Sequence, residues 1–152
     1  MYVLDTNILK FYFEQPQNYP DMVRRIRDAD ARRLICITVV NAQEILHHAV
    51  NALKDRPDQK EHVILQLYED LFNLLAFLRH IPVLPFDKDA YRRFIAISQV
   101  QTGIGTRDRR IAAIALARDA TVVTANRRHF DLVPELKVEN WTIRPPQPAT
   151  QD

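Results

Sequence analysis

Four side chains stand where a chain of this kind could do metal chemistry. They are the carboxylates of Asp5, Glu44 and Asp108 and the amide of Asn126. Asp5 directly follows the apolar run Tyr2-Val3-Leu4, and Asn126 follows the similar run Thr121-Val122-Val123-Thr124. Glu44 sits less than two turns into a helix that Thr38 would cap, and Asp108 opens the run Arg109 to Ala117. A strand end, two helix starts and another strand end can converge on one rim of a parallel sheet, where ligands bind in open α/β folds. Three carboxylates brought together repel and resist full ionisation unless a counter-charge is supplied. A hard divalent cation supplies it. Mg²⁺ takes oxygen ligands and needs few carboxylates, and Mn²⁺ suits the same donors. Such a set fits metal-assisted hydrolysis of a phosphodiester, in which the ion offsets phosphoryl charge and acidifies a bound water.

Each residue also has a plainer reading. Asp5 taken alone is a good helix cap. Glu44 taken alone is an exposed helical glutamate, although Val40, Ile45 and Leu46 surround it. His48 is four residues from Glu44 and can share its face, but a solvated or hydrogen-bonded histidine is the ordinary outcome for it and for His47. Asp87 leads a helix and reads as a structural cap. Arg107, Arg109 and Arg110 flank Asp108, and Arg127 and Arg128 follow Asn126. Their planar forks suit phosphate oxygens, so the cluster points to a polyanionic substrate, with a solvated helix face as the alternative.

The elements that must position these groups alternate. Short strands are expected at 2–4, 34–37, 81–85, 121–124 and 136–139, with the proline-bracketed 81–85 and the last run suited to edge positions. Helices are expected at 7–13, 21–31, from the Thr38 cap onward, 58–79, 88–100 and 109–117. Breaks fall at 15–20, at the turn 55–58 and in the loop 101–107. In 58–79, Val63, Ile64, Leu67, Leu71, Leu74, Leu75 and Leu78 recur at helical spacing, which predicts a broad apolar face that is mostly core, part of it available to an oligomer or protein partner. The alanines of 109–117 would let that helix approach a sheet closely. Strands alternating with helices predict an α/β fold in three layers, with a central, mostly parallel five-stranded sheet. Residues 1–142 are expected to form one domain, and the proline-bearing 143–152 a mobile tail.

The bulk numbers agree with one ordinary globule. The chain has 152 residues, 47% of them hydrophobic and 26% charged. A net charge of +2 permits a nucleic-acid partner without demanding one, so any basic surface must be local. A single cysteine rules out an intrachain disulfide and suits a reducing cytoplasm. No signal peptide is expected, because Met1 leads straight into the first strand with no basic segment and apolar run before it, and no membrane span, because no apolar run approaches the roughly 18 residues required. The only glycines are Gly103 and Gly105, so no glycine loop cradles phosphate, and position 108 of the candidate G-x-G-x-x-G is Asp.

Five segments together resemble the PIN-domain ribonucleases, most closely the VapC-type toxins of toxin–antitoxin modules. They are Val-Leu-Asp-Thr-Asn at 3–7, Thr-Val-Val-Asn-Ala-Gln-Glu-Ile-Leu at 38–46, Gly-Ile-Gly-Thr-Arg-Asp-Arg-Arg-Ile-Ala-Ala at 103–113, Thr-Val-Val-Thr-Ala-Asn-Arg-Arg-His-Phe at 121–130, and Val-Pro-Glu-Leu-Lys-Val-Glu-Asn-Trp at 133–141. They span nearly the whole chain in family order. The resemblance implies a Mg²⁺- or Mn²⁺-dependent endoribonuclease. Asp5, Glu44 and Asp108 would be its metal ligands, Asn126 a fourth catalytic position, and Thr6 and Asn7 supporting groups. Asn126 stands where some members have Asp, which removes one negative charge. His129 stands where many relatives carry a further acid. The resemblance also implies a homodimer and a cognate antitoxin, docked on the helices of about 38–79. Arg107, Arg109 and Arg127 are the candidates for the RNA backbone.

Two other readings remain. A non-cleaving RNA-binding or scaffold protein could retain this fold, given Asn126 and His129. A receiver-like or phosphatase-like domain is disfavoured, because no paired acids or aspartate nucleophile with a conspicuous lysine partner is found.

Overall fold

The computed structural model describes residues 1–54, 60–100 and 103–143. The expected turn at 55–58 and nearly all of the proline-bearing tail lie outside the described residues, as do the first residues of the loop at 101–107.

Tyr2–Leu4 forms β1, a three-residue strand whose Val3 and Leu4 are buried. Three β-favouring or apolar residues suffice because neighbours cover β1 on both edges. On one side it pairs in parallel with β2, Ile35–Thr38, with Val3 opposite Cys36. On the other it pairs in parallel with β4, Thr121–Val123, with Val3 opposite Val122 and Leu4 opposite Val123. The edges are β3, Val83–Leu84, beside β2, and β5, Lys137–Glu139, beside β4. The order is therefore β3-β2-β1-β4-β5 and every pairing is parallel. Both strands expected at edges are at edges, and β3 is flanked by Pro82 and Pro85 as its missing donors require.

Helices cover both faces. On one, α1 (Thr6–Glu14) and α2 (Pro20–Ala31) bury Ile8, Leu9, Met22 and Ile26 against Leu4, Ile35, Ile37 and Val123. A 3₁₀ turn, Pro16–Asn18, separates them, and Pro20 opens α2, where a missing N–H is harmless. On the other face, α5 (Lys88–Val100) and α6 (Thr106–Ala117) pack with Val3, Cys36 and Val122. Ile111, Ala112, Ala113, Ile114 and Ala115 are wholly inaccessible to solvent, so the small residues of α6 do bring it close to the sheet.

Thr38 ends β2 and caps α3, Val39–Leu53, with a reciprocal capping box to Asn41. Asp87 accepts a hydrogen bond from the Ala90 N–H at 3.1 Å and pairs with Arg118, the structural role expected of it.

One expectation is corrected. The long helix α4, Glu61–His80, was expected to be mostly core, yet none of its residues is buried. Leu67, Leu71, Leu74 and Leu78 are partly buried, while Leu65, Tyr68, Phe72 and Leu75 are 51–71% exposed. The helix lies mainly against α3, its neighbour in the chain, and reaches the core under the sheet near its end, through Phe77 and Leu78. Helical periodicity reports that a helix is one-sided; it does not report what covers that side.

Cys36, in β2, is buried, and burial pushes its thiol up to about 11. Only the thiolate is alkylated at a useful rate. Iodoacetamide at pH 8 should therefore leave the native protein unlabelled over a time in which the urea-unfolded chain is fully labelled, as read by intact mass.

Candidate active site

The strand order turns about β1: the chain first builds outward through β2 and β3, then crosses to β4 and β5 on the opposite side. Beyond the carboxyl ends of β1 and β4 this reversal leaves a crevice, the usual ligand position in an open α/β sheet. Asp5 follows β1 and Asn126 follows β4, so both lie at that crevice. A cavity of about 940 Å³ opens there and is lined by Asp5, Glu44, Asp108 and Asn126, with Thr6, Asn7 and Arg107. The cavity continues between α1, α3 and α4 past Phe13, His48 and Phe77.

Asp5 is the most fully determined of these groups. It is 8% exposed. Its Oδ1 accepts from the Thr6 N–H at 2.8 Å, and its Oδ2 from Asn7 Nδ2 and from Thr124 Oγ1, each at 2.8 Å. Asn41 Nδ2 lies 3.5 Å from Oδ1. Asp5 is also the N-cap of α1, so capping and site placement are functions of one carboxylate. Burial raises its carboxyl above the ordinary value, the hydrogen bonds oppose the rise, and the charges of Asp108 and Glu44 add to it. Three carboxylates around one cavity favour a cation among them.

Glu44, on α3, accepts from Thr6 Oγ1 at 2.7 Å through Oε2, while its Oε1 pairs with Arg107. Asp108, in the first turn of α6, has its Oδ2 2.7 Å from His129 Nδ1. Asn126 Nδ2 is 3.3 Å from the same ring nitrogen. His129 comes from the short helix α7, Arg127–Phe130, which begins directly after Asn126. Two of the three carboxylates thus carry a basic partner from within the chain. Among the described residues no group of three or more His, Cys, Asp or Glu side chains is placed to hold a metal ion as they stand. The donors are nevertheless all oxygens gathered around one cavity, the chemistry that Mg²⁺ and Mn²⁺ select.

The arginines separate. Arg107 reaches the cavity. Arg109 points to α5, donating to Ser98 Oγ at 3.2 Å with its guanidinium 5.7 Å from the Phe94 ring centre. Arg127 makes a forked contact to Asp131 one turn on, at 3.0–3.2 Å.

Two residues of this network carry no role in the sequence reading. Asn41 is completely buried. Its Oδ1 accepts from the Thr38 N–H at 3.0 Å and from Thr38 Oγ1 at 2.6 Å, and its Nδ2 donates to Thr6 Oγ1 at 3.2 Å. Thr124 is also fully buried and ties Asp5 to the Asn126 N–H, which donates to Thr124 Oγ1 at 3.0 Å. The pattern Thr-x-x-Asn at 38–41 is close to a capping box and could have signalled Asn41. A threonine at the end of a β-branched strand carries no comparable signal.

A family model described as "PIN domain" matches residues 2–136. The tRNA(fMet)-specific endonuclease VapC of Salmonella typhimurium is 26% identical over 147 residues, covering 92% of this chain and 97% of that one. Two solved structures share the fold. DNA-bound VapBC from Salmonella typhimurium superposes with a TM-score of 0.70 at 23% identity, covering 92% of this chain and 97% of that one. FitAcB from Neisseria gonorrhoeae gives 0.71 at 21% identity, covering 93% and 98%.

Proposed function

The chain belongs to the PIN-domain family, and from that membership we propose that it is a metal-dependent endoribonuclease that hydrolyses RNA phosphodiester bonds, the toxin of a toxin–antitoxin pair. The observation that carries this reading is the gathering of Asp5, Glu44 and Asp108, from three different elements, around one cavity at the carboxyl end of β1. Asp5, Glu44 and Asp108 would hold Mg²⁺ or Mn²⁺, which when bound offsets phosphoryl charge and lowers the pKa of a coordinated water. The chain's own groups do the positioning. Asn7, Thr124 and the Thr6 N–H direct the lone pairs of Asp5. Thr6 Oγ1 orients Glu44, and Asn41 in turn orients Thr6. Asn126 supports the far rim without adding charge. Of the arginines, Arg107 is the one that reaches the cavity, and it would contact the RNA backbone there. Arg109 and Arg127 would act farther along the strand, if released from Ser98 and Asp131.

Residues 1–142 would constitute the single nuclease domain, working in the cytoplasm. Among the described residues no helix is long and apolar enough to cross a membrane. The exposed apolar face of α4, with Leu65, Tyr68, Phe72 and Leu75, is assigned to protein partners, a second copy and a cognate antitoxin.

RNA cleavage with Mg²⁺ or Mn²⁺, measured against an EDTA control, tests the reading. Initiator tRNA belongs among the substrates because the Salmonella relative bears that name. Products that need the metal support the proposal. The second reading, a non-cleaving RNA-binding protein, is favoured by the basic partners that Glu44 and Asp108 carry. Binding that falls steeply with salt, with no products in either metal, would establish it.

A further inference from the structure

Among the described residues Arg107 is the one basic residue in direct contact with Glu44, and the contact uses the carboxylate oxygen that Thr6 leaves free. Thr6 Oγ1 donates to Oε2, and the Arg107 guanidinium holds Oε1. Both oxygens of Glu44 are thereby engaged. The two partners differ in how firmly they are held. Glu44 is 16% exposed at its side chain, whereas the Arg107 side chain is 60% exposed, and Glu44 is its one hydrogen-bonded partner among the described residues. Thr6 is anchored in turn by Asn41. Arg107 leaves the first turn of α6 directly before Asp108 and crosses the cavity to reach α3. It is the movable member of the set.

A divalent cation at Glu44 and a guanidinium at the same oxygen are like charges competing for one carboxylate oxygen. Exposed arginine also has a better planar partner when RNA is present, the phosphate oxygens. Resting on the nuclease reading above, we propose that Arg107 is an internal competitor for the divalent cation at Glu44, one that a polyanion draws off, so that cation and nucleic-acid binding reinforce each other. Coupling of this kind is reciprocal: each ligand tightens the other by the same factor. Arg107 is thus a positioning residue with two alternative partners, and removing it separates two effects that a simple phosphate contact would not. The cation would bind more tightly and the nucleic acid more weakly.

The test is Mn²⁺ binding by the full chain, read from the electron paramagnetic resonance signal of free Mn²⁺, with and without a 2′-O-methyl RNA oligomer. Arg107→Ala is expected to bind Mn²⁺ at least about 3-fold more tightly than the parent, the scale of one partly exposed ion pair. The oligomer should tighten Mn²⁺ binding in the parent, and this enhancement should shrink toward onefold in Arg107→Ala. Oligomer affinity itself should fall, with a salt slope smaller by about one phosphate contact. Equal or weaker Mn²⁺ binding by Arg107→Ala overturns the competitor role. Asp5→Asn distinguishes the two levels of the argument. If Asp5→Asn loses Mn²⁺ while Arg107→Ala matches the parent, the cation site stands and the competitor role fails. If neither the parent nor Arg107→Ala binds Mn²⁺, both fail.

Discussion

Asp5→Asn is expected to lower RNA cleavage at least about 100-fold, the scale on which a group that faces developing charge matters, while leaving the protein no less stable at pH 7.5. The two effects have one origin. Burial is the chief influence on the Asp5 carboxyl and raises it above its ordinary value, with Asp108 and Glu44 adding to the rise. Burial thus disfavours the ionised form of Asp5 in the folded chain, while its hydrogen bonds, and a bound cation, favour it. The sign follows from linkage. A carboxyl raised on folding binds more protons in the native state than in the unfolded state, so stability falls as pH rises from about 3.9 through the folded value. Asn, which cannot ionise, is free of that loss. Thermal melts between pH 4 and 8 should show the parent losing more stability than Asp5→Asn over the lower part of that range. A variant that melts far below the parent at every pH would mean that the four donors around Asp5 outweigh desolvation. A variant that still cleaves RNA at the parent's rate would remove Asp5 from the chemistry.

Asn41→Ala is expected to destabilise the protein by about 2–4 kcal/mol. It removes a helix cap partner, strands two buried donors, the Thr38 N–H and the Thr38 hydroxyl, and deprives the Thr6 hydroxyl oxygen of the donor it accepts from. For a domain of this size that corresponds to a melting temperature lower by about 5–15 °C. Cleavage should fall as well, because Thr6 loses the donor that fixes it against Glu44. Asn41→Asp separates the two roles. It retains both acceptor bonds from Thr38 but sets a carboxylate oxygen near Asp5, where Asn41 Nδ2 now lies 3.5 Å from Oδ1. Its stability should approach the parent's in acid and fall away as pH rises, whereas Asn41→Ala stays low throughout. Parallel pH profiles for the two variants would show that the cap alone matters.

The PIN-type α/β fold was legible because its signals are local. Short β-branched or apolar runs, each followed by an abrupt polar residue, gave five strands, and the proline pair around β3 gave an edge. The acids were legible for a related reason. A carboxylate directly after a buried strand must emerge at the sheet's carboxyl rim, whatever the rest of the chain does. Asp5 could thus be placed from the first five residues. Glu44 and Asp108 could be placed once their helices were, and all three line one cavity. Which arginine reaches that cavity was not legible. Arg107 and Arg109 are two residues apart on α6, and a helix turns through more than half a circle in that step, sending one to Glu44 and the other to α5.

Sequence by itself thus determined the order and direction of the elements and the rim on which the acids fall, because strand and helix preferences act within a few residues. Tertiary structure alone decided the partners. Asn41 and Thr124 became buried supports of the site because Asp5 and Thr6, 35 or 36 positions from Asn41, and Asp5, 119 positions from Thr124, meet them in space. Much of α4 stayed open because the helix lies mainly on α3 and meets the core near its end, through Phe77 and Leu78. Glu44 and Asp108 met Arg107 and His129 for the same reason, in that hydrogen bonds form between neighbours in space, and local sequence preference does not encode who those neighbours are.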